Sequence, residues 1–246
     1  FVIPFGAGGG ADIEGRLLAK EMSAILGVPV TPVNRPGGGG AVTYTYIKNS
    51  KPDGHTVGWN STSVLTTTNL GNTDFAYDAM DHVGRVEFQP QPFVVKADAK
   101  WNSFAEFVAD CKAAPSTLKV ANSGTGSATH AAVNLTNACK LKILVMPTAE
   151  RSPVFPDVPT AKEVGYDVSL DLFRGLSVAP NTPDDVKSVL ADAMAKAANS
   201  PEFQKLAKAK GFTVAPLGHA QFEVLLAEEN AKVKQIFASA GLLKTQ

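Results

Sequence analysis

Apolar positions along the chain follow two rhythms, short unbroken runs and runs spaced three and four apart, and their alternation predicts the elements. Residues 1–4 form an apolar run of strand length; Ile13, Leu17, Leu18, Met22 and Ile25 then recur at helical spacing until Gly27 supplies a stop. A second run at 28–33, a helical pattern over 41–49 and a third run at 56–59 repeat the pattern. Strand, helix, strand, helix, strand reads as parallel βαβ units, whose ligands bind beyond the carboxyl ends of the strands. Here those ends are the loop at 5–12, the glycine-rich loop at 34–40, and the polar run Asn60-Ser61-Thr62-Ser63.

Residues 83–95 are extended, broken by Pro90 and Pro92, and a second unit follows: helix 103–113, strand 118–121, helix 129–139, strand 143–146 and a short helix over 160–164. Residues 170–178 are extended again, and the remainder reads as helices at 184–198, 201–210 and 220–240. Two extended passages around one βα unit predict a chain that crosses to a second lobe and returns. One junction lacks punctuation. Helix 129–139 meets the strand at 143 through Lys140, Leu141 and Lys142 alone, with none of the Gly, Asn or Pro that ends a helix. Residues are expected to be missing near 139–142.

Composition narrows the partners. Basic and acidic residues number 23 each, so the formal net charge is zero, which argues against nucleic acid. Apolar residues at 44% and charged residues at 19% describe a soluble globular chain. No apolar run approaches the ~20 residues of a membrane helix. The chain opens inside an apparent strand, as a trimmed chain would, so a missing leader carries no information. Cys111 and Cys139 read either as two small buried hydrophobes or as a disulfide, which would need an oxidising compartment. Their spacing excludes redox Cys-x-x-Cys chemistry and, without clustered histidines, zinc.

Two glycine loops carry the candidate chemistry, residues 5–12 and 122–129, each closing a strand and opening a helix. A helix start presents unpaired N–H groups and the positive end of the macrodipole, which suits a carboxylate or phosphate. Two such loops in separate lobes could grip one small anion from opposite sides. Ser61, Thr62 and Ser63 add neutral donors at a strand end. Asp12 either complements the helix dipole, or orders the loop or contacts a ligand through water.

Competing chemistries fare less well. Gly6-x-Gly8-x-x-Ala11 matches a relaxed dinucleotide fingerprint, but Asn34-Arg35 stands where the ribose-binding acid belongs, which leaves an NADP-linked oxidoreductase as the alternative reading. His130 lies three residues from Ser127 without a Gly-x-Ser-x-Gly elbow, so it reads as structural or as a rim donor. Asp74, Asp78 and Asp81 look like a solvated edge, not a metal site. On the return crossing, Asp171, Phe173 and Arg174 stand together; Arg174 either pairs a ligand's second carboxylate or sits in an exposed salt bridge. No acid–base pair accompanies these donors, so the sequence points to binding without catalytic residues, metal or cofactor.

The segments 2–12, 33–40 and 52–56, then 122–130, Arg151-Ser152-Pro153 with 156–160, and Gly175-Leu176 before Ala179-Pro180 together resemble the substrate-binding proteins of tripartite tricarboxylate transporters, the Bug receptors. The resemblance covers nearly the whole chain in order. It implies an α/β, two-lobed periplasmic binding protein of type II-like architecture, two doubly wound lobes joined by two crossing strands. Lobe 1 would be 1–90 with 175–246, and lobe 2 would be 91–174. It further implies a monomer in the periplasm, its signal peptide removed, that delivers a small organic acid, often a C4-type dicarboxylate, to membrane permease subunits. Its ligand set maps onto Phe5, Ala7, Gly8, Gly9 and Asp12; onto Ser61, Thr62 and Ser63; and onto Ser123, Gly124, Thr125, Ser127, Thr129 and His130, with Phe173 on the crossing. Family members carry several dozen further residues, including a second-lobe aspartate, at the junction near 139–142. The intact pattern elsewhere favours a segment that exists in the protein over a true deletion.

Overall fold

The structure is a computed structural model, and it describes residues 1–114, 141–148, 150–152, 155–166, 172–239, 241 and 243–244. In chain order the described strands are β1 (Val2–Ile3), β2 (Val33–Asn34), β3 (Gly58–Ser61), β4 (Asp81–Gln89), β5 (Phe93–Lys96), β6 (Leu141–Val145), β7 (Leu172–Val178) and β8 (Thr213–Gly218). The helices are α1 (Gly10–Leu26), α2 (Ala41–Lys48), α3 (Ser63–Asn69), α4 (Phe104–Ala113), α5 (Asp184–Ala198), α6 (Pro201–Lys210) and α7 (His219–Ser239). The chain divides into two compact units, residues 1–88 with 173–246, and residues 89–172.

The larger unit is built on a six-stranded sheet in the order β2-β1-β3-β7-β4-β8. β1 pairs in parallel with β2 and β3, as the alternating pattern requires, while β3 and β7 run antiparallel with Ser61 opposite Arg174 and Trp59 opposite Leu176. Helix α1 packs on the Trp59 face. Its core side consists of Ala11, Gly15, Leu18, Ala19 and Met22, so the small residues set the approach: a Cβ on Gly15 would lie 3.0 Å from the Trp59 ring. The stripe expected through Ile13 and Ile25 is therefore rotated, and those two residues are 37% and 41% exposed.

Two elements depart from the sequence reading. Helix α3 forms over Val64-Leu65-Thr66-Thr67-Thr68, in which all but Leu65 are poor helix formers by propensity. It is held because Val64 and Leu65 are fully buried and because Thr67 and Thr68 return their hydroxyls to the carbonyls of Ser63 and Val64, at 2.6 and 2.8 Å. Strand β8 lies where only helices were expected. Pro216 and Gly218 mask it in the sequence, and it occupies the edge of the sheet beside β4, where a proline is tolerated.

In the smaller unit β5 and β6 pair antiparallel. Val95, Phe107 and Leu144 form its core, flanked by Phe93, Trp101 and Phe104. Ser103 caps α4 by accepting the Glu106 N–H, and Glu106 returns a carboxylate oxygen to the Asn102 N–H. Cys111 packs against this cluster as a free thiol. Cys139, the strand expected at 118–121, the second glycine loop and the helix expected at 129–139 lie outside the described residues.

Candidate functional site

The loop after β1 is held from within. Asp12, in the first turn of α1, accepts the Gly8 N–H at 2.9 Å, the Arg16 Nε–H at 2.8 Å and an Asn34 Nδ2–H at 2.8 Å. Asn34 also donates to the Phe5 carbonyl at 2.9 Å, and its own Oδ1 accepts from Arg16 at 2.6 Å. One carboxylate thus ties the loop, the helix and the end of β2 together. Burial pushes the Asp12 pKa upward, but the bonds from Arg16, Gly8 and Asn34 outweigh it and hold the carboxyl below its ordinary range. Gly8 has φ +81°, a left-handed conformation that a side chain would strain. Gly6, Ala7 and Gly8 are exposed. The N–H groups of Gly6, Ala7, Gly9 and Gly10 have no hydrogen-bond partner among the described residues, so the open start of α1 presents donors to solvent.

The hydroxyl run, expected as neutral donors at a strand end, lies at the end of β3 and is turned inward. Ser61, Thr62 and Ser63 are all buried. Ser61 and Ser63 share a hydrogen bond at 2.8 Å, and the Ser63 hydroxyl also bonds the buried Tyr44 phenol. Thr62 Oγ1 accepts the Phe173 N–H at 2.9 Å, and the Thr62 N–H donates to the Phe173 carbonyl at 3.3 Å. The run therefore stitches the end of β3 to the start of β7. The Phe173 ring is buried edge-on against Phe222, 5.3 Å between centroids.

Arg174 is the residue that sequence reasoning placed least well. Instead of an exposed salt bridge it is fully buried, its Nε 2.5 Å from Glu14 of α1 and 3.5 Å from Glu87 of β4, both buried. Glu14 and Glu87 carried no signal as ligands or partners in the sequence; only the fold brings them to the same guanidinium. Burial raises the Tyr44 phenol pKa, and Ser63, Ser61 and the Arg174 charge pull against it. The second-lobe candidates Ser123, Gly124, Thr125, Ser127, Thr129 and His130, and Asp171, lie outside the described residues. Among the described residues no three His, Cys, Asp or Glu side chains cluster as a metal site; Asp81 instead accepts the Thr182 N–H at 3.1 Å.

Neither the sheet nor Arg35 supports a dinucleotide. β3, which would begin the second mononucleotide half, is flanked by antiparallel β7, and the Arg35 guanidinium lies 4.0 Å over the Tyr46 ring.

Parallel strands feeding anion-ready loops, in a chain of two units whose fold matches solved binding proteins, define a type II-like solute-binding protein. The model of the tripartite tricarboxylate transporter family receptors matches residues 15–137 and 129–242, and the chain belongs to that family. It is 28% identical over 291 aligned positions to a UPF0065 protein in the gbd 5′ region of Cupriavidus necator, covering all of this chain and 88% of that protein. The alignment is longer than the 246-residue chain, so the relative carries residues that this chain lacks. A TctC solute-binding protein from Polaromonas superposes with a TM-score of 0.76 at 26% identity, covering 97% of this chain and 96% of that one. MatC from Rhodopseudomonas palustris, solved with bound malate, superposes with a TM-score of 0.83 at 22% identity, covering 96% and 97%.

Proposed function

We propose that the protein is a periplasmic receptor that binds a small organic acid, of the C4-dicarboxylate type or a related carboxylate, and delivers it as a monomer to the membrane subunits of a tripartite transporter. The observation that carries this reading is the pinned loop at the start of α1, whose exposed N–H groups face solvent while Asp12 holds their geometry. Family membership and the malate in MatC support the ligand class. Phe5, Ala7, Gly8 and Gly9 line the ligand, with Ala7 and Gly9 offering their N–H groups and Gly8 fastening the loop to Asp12, and Ser61, Thr62, Ser63 and Phe173 back them. Ser123, Gly124, Thr125, Ser127, Thr129 and His130 are proposed as further ligand residues. The donors are amides and hydroxyls, which stabilise an anion by local dipoles despite zero net charge and require no reaction.

Thermal-shift measurements with malate, adipate, aromatic acids and NADPH test the reading. An acid at about a hundred times its Kd stabilises the fold by about 2.7 kcal/mol and raises Tm accordingly. Stabilisation by NADPH with no response to any acid would overturn it.

A further inference from the structure

The guanidinium of Arg174 is served on one side only. Glu14 and Glu87 both approach Nε, while Nη1 and Nη2 are buried and have no hydrogen-bond partner among the described residues. A buried donor without an acceptor is costly, and here four N–H bonds of one charged group share that condition. Native folds seldom leave buried donors unpaired, so a cluster of them marks a place that a bound molecule can complete.

The surroundings say where that group sits. Arg174 stands opposite Ser61 in the β3–β7 ladder, at the end of β3 where the hydroxyl run begins. Its Cζ lies 6.0 Å over the ring of Phe5, the first residue of the pinned loop. Its charge reaches the Tyr44 phenol, which bonds Ser63. The guanidinium thus stands between the Phe5 loop and the Tyr44–Ser63–Ser61 hydroxyls, all within the larger unit. Two carboxylates at Nε more than offset its charge, so what the free edge offers is direction and not net charge: two parallel N–H vectors that match the two oxygens of a planar carboxylate.

We infer that Arg174 anchors the ligand, its Nη1–Nη2 edge taking one carboxylate end-on near Phe5 while the loop amides serve the rest of the molecule. Glu14 and Glu87 are positioning residues that aim this edge. The inference rests on the organic-acid reading above and adds a specificity-determining residue to it. A primary amide or methyl ester of the anchored carboxylate presents only one acceptor in the plane and binds more weakly.

The test uses the unaltered full chain, labelled with 15N and 13C at arginine; the sequence has five arginines, so the guanidinium signals resolve individually. Malate and adipate are the probes. Saturation with whichever raises Tm is expected to shift the Arg174 Nη–H signals and slow their rotation. Arg174→Lys, which keeps the charge and loses the fork, is expected to weaken that acid about ten- to a hundredfold, the worth of one or two charge-assisted hydrogen bonds. An acid that binds while the Arg174 signals stay in place overturns the inference and leaves the receptor reading standing. If neither probe, nor any other acid of the thermal-shift panel, binds, both fall. Should Arg174→Lys fail to fold, the labelled native chain decides alone.

Discussion

Asp12 Oδ2 accepts the Gly8 N–H at 2.9 Å, so the glycine loop is fastened by the helix that it introduces. The same carboxylate reaches Asn34 at the end of β2, which makes Asp12 a knot between two strand ends. Asp12→Ala removes three hydrogen bonds to a buried charge and is expected to cost about 2–3 kcal/mol of stability. Its urea midpoint should fall with an unchanged slope, and its affinity for any stabilising acid should fall with it.

Asp12 also sets an acid limit. Its folded pKa is depressed below the ordinary 3.8, so its stabilisation is present above that value and lost as pH falls through the folded pKa. Unfolding free energies measured from pH 5 down to pH 2.5 should decline less steeply in Asp12→Ala than in the native chain.

His82 works in the opposite charge sense. Its Nε2 lies 2.9 Å from the Tyr77 carbonyl, which can only accept, so Nε2 carries the proton; Nδ1 then accepts from Ser177 at 2.8 Å and Asn60 at 3.2 Å. Burial lowers its pKa, against the pull of Glu223, the Tyr77 carbonyl and Asp81 and with that of His219. The unfolded chain takes up this proton first, so stability should fall as pH drops below the ordinary value of 6.5, by up to about 1.4 kcal/mol per pH unit. Denaturant titrations between pH 5 and 8 read the slope, and His82→Gln should flatten it.

Thr62→Val tests the stitch between the hydroxyl run and β7. The substitution is close in shape but leaves the buried Phe173 N–H without its acceptor, at a cost of about 1–3 kcal/mol. Hydrogen exchange at the Phe173 amide should accelerate more than at other β7 amides.

Gly175→Ala addresses packing alone. A Cβ there would lie 2.5 Å from the Gly84 carbonyl oxygen and 2.8 Å from the Phe222 ring, and the backbone oxygen cannot step aside. A loss of about 1–3 kcal/mol is expected from overpacking, read by thermal unfolding.

The parts legible in the sequence were those with one dominant local signal. Helices α5 and α6 fall at their expected bounds because Pro183, Ser200 with Pro201, and Gly211 punctuate them. The loop at 5–12 was legible for the same reason. Elements decided by tertiary packing were hidden. Helix α3 depends on buried Val64 and Leu65 overriding three threonines, and the face of α1 depends on Gly15 fitting Trp59, whereas Ile13 and Ile25 carry the stronger apolar signal. The burial of Ser61, Thr62, Ser63 and Arg174 follows from the β3–β7 ladder, a pairing across more than a hundred residues that no local pattern encodes.

That ladder has a neighbour with a further consequence. Contacts of β4 with β7 and the turn after it run in opposite directions along the chain: Asp81 meets Thr182 beyond the end of β7, His82 meets Ser177, and Gly84 lies against Gly175. The end of β4, where the chain departs, and the start of β7, where it comes back, therefore lie toward the same edge of two neighbouring strands. Residues 89–172 are, in topological terms, a guest inserted into a host whose cut ends lie on neighbouring strands. A short glycine linker from 88 to 173 should close the host into a continuous domain that folds alone, carrying the pinned loop and Arg174 with it.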